Sequence, residues 1–531
     1  MLRGPITPKD LVIVLRATTS ISRAPLYSTA GDPTPAWISS NQIIQRHPRL
    51  LSLETCDSPR QLQTILAYAI VSGLFRNPFV ASRVLHSAVS TSSPPDLCFA
   101  SLVFSQMEKP NLFSWNTIIR ALAASEDRSR SAAFSVCAEM LQRGTLPDKF
   151  TIPFLLKACR SSRDLYLGRS VHAHAFVLDF DADPFVQTAI MRMYLSCGSV
   201  GDARKAFDGM PHRDIVAWTA MISGLVDQGC HWEALKVLNE MRLDGLDVSP
   251  NVATMVSAMS ACANLGSLVH AKSLHAYVEK VGLEGDVFIR NSLIDMYAKC
   301  GSIAHAVQAF LSMSERDLHS WTALITGLAS HGFGKEALDL FSQMQGIGVV
   351  PDATTFVAVL SACSHAGLAV EGLEIFDSME RVHGVVPELK HYGCMVDLLS
   401  RAGLVDCAYE LVSSMHIEPN LVILGALLSA CRIHDNLEIA ELVSKKIESI
   451  CRYKGGTHVL LSNMYANKQQ WNEVASIREM TGKDASKPPG WSWIEVRGVI
   501  HEFLVEDRSH PHYEEMHLVL HGLEKLMEEF V

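Results

Sequence analysis

The first residues to consider are those that could carry out chemistry on a bound molecule. His512 and Glu514 form an H-x-E sequence, with which zinc-dependent nucleoside deaminases bind metal and transfer protons. That chemistry also needs two downstream cysteines in a C-x-x-C arrangement, which the chain does not contain. H-E-x-x-H and a glycine-rich phosphate loop are absent as well. The sequence therefore predicts no catalytic residue, no metal site and no cofactor, and His512 and Glu514 are interpreted as surface residues where a helix begins.

Three tryptophans are a second candidate for ligand contact. Trp115, Trp218 and Trp321 are spaced by 103 residues and occur in the segments FSWNTII, VAWTAMI and HSWTALI. An exposed tryptophan can stack on a base, whereas one that recurs in phase with a helical repeat more often packs between helices. We interpret these three as packing residues. The thirteen cysteines include several at repeat-equivalent positions, and we interpret them as small buried groups rather than disulfides.

The elements that position these residues are pairs of helices. In residues 287–317, apolar side chains recur with helical spacing on both sides of Gly301, which we expect to end the first helix in a left-handed conformation. Ser302 follows as a candidate N-cap, whose hydroxyl would accept from an amide of the next turn. Residues 184–214 show the same landmarks 103 positions earlier. Neither pair could bury its apolar faces alone.

The helix pairs form a longer repeat. Units of 37, 35 and 31 residues cover 112–148, 149–183 and 184–214, and the same three lengths cover 215–251, 252–286 and 287–317. A third triplet covers 318–352, 353–388 and 389–420, and a degraded unit from Pro78 to Asn111 precedes the first. Most boundaries carry proline followed by an acidic residue or asparagine, and proline cannot continue a helix. This pattern predicts a solenoid in which each unit packs against its neighbours.

Composition limits the function classes. A hydrophobic content of 48% and a mean hydropathy of +0.15 exclude a disordered chain, and the longest apolar run, residues 421–431, is too short to cross a bilayer. The formal charge of −10 is the main objection to a nucleic-acid partner. Phosphate binding requires local positive potential, however, and a long solenoid can segregate its charges. The N-terminal 30 residues carry four basic residues against one acid, the composition of an organelle transit peptide.

The alternation of unit lengths resembles that of plant pentatricopeptide repeat proteins of the PLS subclass. The resemblance covers about residues 46–531 and rests on segments such as VAWTAMISGLVDQGCHWEALKVLNEM, DMYAKCGSI and HYGCMVDLLSRAGLV. LVILGALLSACRIHDNLEIAELV, THVLLSNMYANKQQWNEVASIREM and PGWSWIEVRGVIHEFLVEDRSHP are similar to the E and E+ extensions of that subclass, without its DYW deaminase domain. The tetratricopeptide array, the other family considered, keeps a uniform 34-residue unit.

The resemblance implies a fold and domain borders. The expected fold is all-α, a right-handed superhelical solenoid of TPR-like helix-turn-helix repeats with a small C-terminal α+β extension. Within that extension we expect strands over 493–496 and 499–505, a turn at 497–498 and a closing helix after Pro511. The expected domains are the transit peptide and linker (1–45), the repeat array (46–420), the E domain (421–486) and the E+ region (487–531).

The resemblance also implies which residues read RNA. In this family the fifth and the last residue of a repeat together hydrogen-bond one base. The implied pairs are Ser82/Asn111 for A, Asn116/Asp148 for a pyrimidine, Thr188/Asp214 for G, Thr219/Asn251 for A, Asn291/Asp317 for a pyrimidine and Thr322/Asp352 for G. The long repeats carry Pro153, Val256 and Val357 at the fifth position, where an apolar side chain cannot discriminate a base edge, and Gly393/Asn420 departs from the coded set.

A different interpretation of the last residues is available from local chemistry alone. Aspartate and asparagine at a helix start are ordinary N-caps, and for a single pair we would prefer that interpretation. Six pairs restricted to the same small set of residue types and in phase with the repeat favour RNA reading.

These residues imply a non-enzymatic function. The implied activity is sequence-specific binding of single-stranded organellar RNA, as a site-recognition factor for C-to-U editing that recruits a deaminase in trans, together with organellar editing-factor proteins and no membrane. A protein-binding helical scaffold without an RNA role is the alternative, and a deaminase in its own right is disfavoured. The sequence R-x-x-LYS-T near Arg23 favours the mitochondrion over the chloroplast.

The expected docking surface for the deaminase is one apolar face of the closing helix. Its residues are Met516, Leu520, Leu523, Met527 and Phe530. The same face could instead pack on the preceding E helices, because both arrangements require an amphipathic helix.

Overall fold

The computed structural model describes residues 47–53, 56, 58–90, 96–125, 130–243, 248–450, 455–481, 491–496, 499–504 and 508–529. The expected transit peptide and linker, residues 1–45, lie outside these ranges. The chain divides into two compact units, Met1–Ala258 and Met259–Val531. Among the described residues, no helix is both long and apolar enough to cross a membrane.

The first unit is built from paired helices. Two short 3₁₀ helices, Pro48–Leu53 and Leu74–Arg76, flank α1. Its α-helices are α1 (Pro59–Val71), α2 (Pro78–Ser90), α3 (Leu97–Ser105), α4 (Leu112–Ala124), α5 (Arg130–Gln142), α6 (Thr151–Ser162), α7 (Leu165–Val177), α8 (Pro184–Ser196), α9 (Val200–Asp208), α10 (Ile215–Asp227) and α11 (His231–Leu243). The division between the units falls within α12 (Val252–Leu265).

The second unit continues the same alternation and ends in a small α+β segment. Its helices are α13 (Leu268–Val281), α14 (Val287–Lys299), α15 (Ile303–Leu311), α16 (Leu318–Ser330), α17 (Gly334–Gly346), α18 (Ala353–Ala366), α19 (Ala369–Arg381), α20 (Leu389–Arg401), α21 (Val405–Ser414), α22 (Leu421–Ile433), α23 (Leu437–Ile450), α24 (Gly455–Asn467), α25 (Trp471–Thr481) and α26 (Tyr513–Glu529). The predicted array of helix-turn-helix repeats is therefore confirmed in both units.

Each unit has two layers. The even-numbered helices, which begin the repeats, pack side by side from α2 to α10 in the first unit and from α14 to α24 in the second. We call them the first-helix layer. The odd-numbered helices from α3 to α11 and from α15 to α25 each pack against the even-numbered helix that precedes them. Because first helices contact one another in sequence, residues at the same repeat position form a row along the layer of each unit.

The described part of the C-terminal extension contains one antiparallel hairpin. Strands β1 (Trp491–Val496) and β2 (Val499–Leu504) pair in the register Trp491↔Leu504 to Val496↔Val499, which leaves a two-residue connection as predicted. The connecting residues 497–498 lie outside the described ranges. The predicted hairpin and closing helix are confirmed, although β1 begins two residues before the expected start.

Helix ends follow the predicted signals, with one exception. Gly301 has φ of +78° directly after α14, the left-handed conformation expected of a helix-ending glycine. Ser302 occupies the N-cap position of α15, but its hydroxyl makes no capping bond. It hydrogen-bonds the His305 ring at 2.7 Å instead. The predicted capping role of Ser302 is wrong because a nearby imidazole competes for the hydroxyl.

The three tryptophans are buried packing residues, as predicted. Trp115, Trp218 and Trp321 are 0%, 2% and 5% exposed. Each lies edge-to-face against a phenylalanine of the preceding second helix, with ring centroids 4.8–4.9 Å apart: Phe104–Trp115, Phe207–Trp218 and Phe310–Trp321. Because they are buried, they cannot stack on a base.

We expect Trp218→Ala to destabilise the array by about 3–5 kcal/mol, since it leaves a cavity opposite Phe207. Denaturation by guanidinium chloride, followed by far-UV circular dichroism, measures the effect. Trp232→Ala is the matched control, because Trp232 is 47% exposed and we expect a much smaller loss. Equal losses for the two variants would contradict the packing role.

Candidate nucleic-acid interface

The last residue of each coded repeat accepts a hydrogen bond at the start of the next first helix. The Oδ1 atoms of Asn111, Asp148, Asp214, Asn251, Asp317 and Asp352 accept a backbone N–H bond at 2.8–2.9 Å from the third residue of the following repeat. The capping interpretation is therefore confirmed for five of these residues, whereas Asp148 accepts the same bond from Thr151, the first residue of α6, and Phe150 occupies the N-cap position. It does not exclude base recognition, because each side chain has a second polar atom.

That second atom differs between the two residue types. With Oδ1 held by the cap, an aspartate has Oδ2 left as an acceptor, whereas an asparagine has Nδ2 left as a donor. The cap fixes the orientation of both side chains in the same way. Replacing one type by the other thus changes the chemistry presented to a ligand and leaves the helix start unchanged.

The fifth residues fall into three groups by their contact with the last residue. In the first group, Asn116 and Asn291 donate directly from Nδ2 to Oδ1 of Asp148 and Asp317, at 3.0 and 3.2 Å. Both asparagines are half-buried. These two predicted pairs are therefore brought together in the structure.

The threonines Thr219 and Thr322 contact the last residue through a bridging hydroxyl. Thr219 Oγ1 lies 2.7 Å from Thr254 Oγ1, which donates to Asn251 at 2.9 Å. Residues 322, 355 and 352 repeat this arrangement, with distances of 2.9 and 2.8 Å. The two arrangements match although one ends in asparagine and the other in aspartate.

The remaining two pairs are not joined. Ser82 donates to the Phe79 carbonyl and Thr188 to the Pro184 carbonyl, each at 2.8 Å within its own helix. Among the hydrogen bonds of the described residues, none links Ser82 to Asn111 or Thr188 to Asp214. Ser82 is only 4% exposed, so a base reaches its hydroxyl less easily than that of the half-buried Thr188.

The hydrogen bonds to Asp148 and Asp317 also stabilise the ionised form of these two carboxyl groups. Burial raises the pKa of the Asp148 carboxyl, but hydrogen bonds from Thr151, Asn116 and the Phe150 amide outweigh it and lower the pKa below its ordinary 3.8. At Asp317 burial again raises the pKa of the carboxyl, but hydrogen bonds from Ser320 and Asn291 outweigh it and lower the pKa below its ordinary value. A carboxyl with a lowered folded-state pKa stabilises the fold above its unfolded pKa and loses that effect as pH falls, here below about 4. Both groups are therefore acceptors at neutral pH.

Two sets of residues were missed by sequence reasoning. The third residue of the next repeat carries a hydroxyl in five of six cases, and this hydroxyl contacts the last residue: Ser114, Thr151, Thr254, Ser320 and Thr355. The second residue of several repeats is a large apolar side chain that is 49–69% exposed: Phe113, Phe150, Phe185, Val216 and Phe288. The exposed second residues could have been found from their repeat phase, because each lies three positions before a fifth residue.

The exposed second residues provide apolar surfaces beside the reading pairs. Such side chains can stack on bases of any identity, because every base has a π-face. The buried tryptophans cannot perform this role. In the repeats that carry both features, the geometry therefore places a polar pair and an apolar surface side by side along the first-helix layer.

The C-terminal residues are only partly described. Met516 is half-buried and Leu520 is 64% exposed, together with Leu518 and Val519 at 73% and 63%. The side chains of Leu523 and Met527, and the whole of Phe530, lie outside the described residues.

His512 is exposed just before α26 and contacts Glu515 at 3.1 Å, in agreement with a helix-start role. The described residues contain no cluster of three or more His, Cys, Asp or Glu arranged to hold a metal.

Comparison with known families identifies repeats in the array and one C-terminal motif. A profile described as the PPR repeat family matches residues 213–264 and 316–365, and one described as PPR repeat matches 288–318, 354–382 and 390–418. An E motif profile matches residues 434–495.

Relatives cover most of the chain. A pentatricopeptide repeat-containing protein of Arabidopsis thaliana is 37% identical over 508 residues, covering 89% of this chain and 81% of the relative. The Arabidopsis thaliana protein CRR2, named as chloroplastic, is 33% identical and covers 99% and 82%. A further relative from that plant is named as chloroplastic/mitochondrial and is 38% identical, covering 89% and 76%.

A solved structure has the same fold. The pentatricopeptide repeat protein PPR10, in complex with an 18-nt psaJ RNA element, superimposes with a TM-score of 0.63 at 17% identity. The match covers 83% of this chain but only 65% of that one. At this identity the likeness concerns the fold.

We expect Asp352→Ala to destabilise the fold by about 1 kcal/mol, because it removes the cap of α18, and Asp352→Asn to have almost no effect. Thermal unfolding of both variants tests this difference. Asp339→Ala, an exposed site within α17, is the matched control. An asparagine variant as unstable as the alanine variant would disprove the equivalence of the two caps.

Proposed function

The chain belongs to the pentatricopeptide repeat proteins, and from this premise we propose that it binds single-stranded RNA with sequence specificity in an organelle. The observation that carries the proposal is the shared geometry of the last residues. All six accept a backbone N–H at the start of the next first helix through Oδ1, which leaves the second polar atom to another partner. Exposed apolar residues lie on five of the repeats, where a base can stack.

The chemistry of the second atom favours particular bases. An aspartate Oδ2 accepts from the ring N–H of guanine or uracil, whereas an asparagine Nδ2 donates to the bare ring nitrogen of adenine or cytosine. This agrees with the assignment of G or a pyrimidine to the aspartate repeats and of A to the asparagine repeats. One base per repeat gives A-Y-N-G-A-N-Y-G for residues 78–352, where Y is a pyrimidine and N any base.

We propose that the bound RNA is a substrate for C-to-U editing and that this chain recognises the site. The E motif at residues 434–495 supports this, since it follows the repeats directly. In this proposal the deaminase is supplied in trans, with editing-factor proteins as further partners. The proposed docking surface comprises Met516 and Leu520 of α26. The sequence pattern adds Leu523, Met527 and Phe530, whose side chains lie outside the described residues.

The proposed location is the mitochondrion, with the chloroplast as the alternative. The N-terminal composition supports an organelle, and the arginine pattern near Arg23 favours the mitochondrion. Relatives are named for the chloroplast or for both organelles, which supports an organelle without choosing between them.

Reciprocal substitutions at two matched repeats test base reading. Thr322/Asp352 and Thr219/Asn251 share the hydroxyl bridge to the last residue. They differ in that last residue and also at the threonine, since Thr322 is only 7% exposed and lies 2.9 Å from the Leu318 carbonyl, whereas Thr219 is half-buried. We expect Asp352→Asn to change the preferred base at its repeat from G to A, and Asn251→Asp to change A to G at the other. Each swap should alter the affinity ratio by at least about tenfold, since a mismatched base costs about 1–3 kcal/mol.

Fluorescence anisotropy with RNA containing A-Y-N-G-A-N-Y-G, its single-base variants and a scrambled control measures these ratios. Wild-type protein that binds all the RNAs equally, or none of them at moderate salt, would reject RNA reading and favour the alternative of a protein-binding scaffold. Swaps that change affinity for every RNA to the same extent would show that the two positions do not read bases.

Truncation after Pro489 separates RNA binding from deaminase recruitment. We expect the truncated protein to bind RNA normally and to lose C-to-U editing in complemented mutant plants, because β1, β2 and α26 are removed. Leu520→Glu, which charges the exposed face of α26, is the milder variant and should reduce editing alone. Editing that survives truncation would contradict the recruiting role, and deamination by the purified chain would contradict the assignment as a non-enzyme.

A further inference from the structure

A cleft in the first unit is lined by positively charged side chains that the equivalent positions of the other triplets do not carry. It has a volume of about 630 Å³ and lies between α6 and α8, with the start of α10 at one end. Its lining includes Lys157, Arg160 and Arg192, and its apolar walls include Phe150 and Phe185. We call it the basic cleft. Thr188 and Asp214, one of the predicted reading pairs, line the same space.

The cations Lys157, Arg160 and Arg192 have no carboxylate partner among the ion pairs of the described residues. The Arg160 guanidinium donates a hydrogen bond from Nε to the neutral Ser196 hydroxyl, at 3.2 Å. Burial and then the nearby charge of Arg192 lower the pKa of Arg160, against a smaller opposing effect of Asp227. The two guanidinium groups therefore repel each other.

The acids that line the cleft do not neutralise these cations. Asp183 is paired with Lys149 at 3.4 Å and also caps α8 through bonds from the Phe185 and Val186 amides. Asp214 caps α10. Three cations therefore remain available to an anion that enters between the two phenylalanines.

The other triplets of the array reverse this charge. The positions equivalent to Lys157, Arg160 and Arg192 are Ser260, Ala263 and Asp295 in the second triplet. In the third triplet they are Ser361, Ser364 and Asp397. Asp295 and Asp397 form ion pairs within their own helices, with Lys299 and Arg401. The helical repeat itself thus does not require cations at these positions.

The neighbouring residues indicate which anion fits. Pro153, the fifth residue of the long repeat, lines the cleft and has no side-chain donor or acceptor with which to read a base edge. Aromatic walls suit a base regardless of its identity, and guanidinium groups bind phosphate oxygens with paired N–H donors. A nucleotide of an RNA strand satisfies both features, whereas an acidic peptide satisfies only the charge.

We propose that the basic cleft binds the RNA backbone. Lys157, Arg160 and Arg192 contact the phosphates on either side of one nucleotide, whose base lies in the cleft without being recognised. The inference rests on the proposed RNA-binding function and adds where the strand is anchored. The cleft gives this chain, with its charge of −10, a localised site for phosphate. It also places an unread nucleotide next to the base read by Thr188 and Asp214.

The salt dependence of RNA binding tests the phosphate contacts. Each phosphate contact to a single strand contributes about 0.7 to the slope of log affinity against log salt, so Arg160→Gln with Arg192→Gln should lower the slope by about 1.4. Arg160→Lys with Arg192→Lys keeps the charges and should retain the wild-type slope. Lys335→Gln with Arg381→Gln, on second helices, is the matched control and should leave the slope unchanged.

Because Arg160 is half-buried, Lys157→Gln provides a second test at an exposed position, with an expected loss of about 0.7 in slope.

RNAs with one neutral methylphosphonate linkage then locate the phosphate that the basic cleft contacts. Wild-type protein should lose affinity when the linkage lies beside the nucleotide preceding the base read by Thr188. The double glutamine variant, which retains only Lys157, should lose much less affinity.

The outcomes distinguish the two proposals. If the wild type shows no base preference, the proposed function fails. If base preference is intact but the glutamine variants keep the full salt slope, or every methylphosphonate position has the same effect in all variants, the basic cleft is not a phosphate site. Loss of base preference at every repeat in a folded Arg160→Gln, Arg192→Gln variant would also contradict a phosphate-binding role confined to the basic cleft.

Discussion

The hydrogen bond from a helix-start amide to Oδ1 of the last residue of the previous repeat, three positions upstream, is the constraint on which the candidate interface depends. It fixes where each first helix begins, and thereby the direction of the second, third and fifth residues around the helix axis. A shift of the start by one residue would rotate all three by about 100°. Asp352, for example, caps α18 and contacts Thr355, whose hydroxyl lies 2.9 Å from Thr322. The proposed base reading and the stability of the helix start would therefore use different atoms of the same side chain.

Much of the fold was predictable from the sequence because its determinants are local. The positions of Pro, Gly and the capping acids set the helix ends, and the 103-residue recurrence of tryptophan indicated burial. The exposed second residues were not predictable in this way, since Phe150 and Phe185 fit the apolar pattern of a helix as well as any core residue does. Their exposure depends on how neighbouring first helices pack, and the sequence of one repeat does not encode that distance by itself. The hydroxyl of Ser302 was misassigned for a similar reason, because its competitor is a side chain one turn away.

Net charge proved to be a poor guide to the interface. Many acids of the described residues are engaged locally, as Asp202 is with Arg169 and Glu240 with Arg204, at 2.7 and 2.6 Å. Others cap helices. The net charge of −10 includes all of these engaged groups, so it does not describe the local charge of the first-helix layer. In that layer Arg192 lines the basic cleft and has no carboxylate partner among the ion pairs of the described residues. What matters for a polyanion is the local balance at each repeat, and this balance differs in sign between equivalent positions 192 and 295.

Two repeats that carry the same reading pair are not equivalent. At Asn116/Asp148 the amide has a contact on both sides, since the Thr151 hydroxyl, which also lies 2.8 Å from Asp148 Oδ1, is 2.7 Å from Asn116 Oδ1, while Nδ2 donates to the carboxylate. At Asn291/Asp317 the third residue is a serine that donates to the carboxylate, and Asn291 Oδ1 is buried without a partner. The first amide is therefore already fixed in one orientation, whereas the second gains a hydrogen bond only if it turns toward a donor. Ordering a side chain on binding costs free energy, so in the proposed base reading we expect the third residue to influence the affinity of a repeat, while the fifth and the last residue select its base.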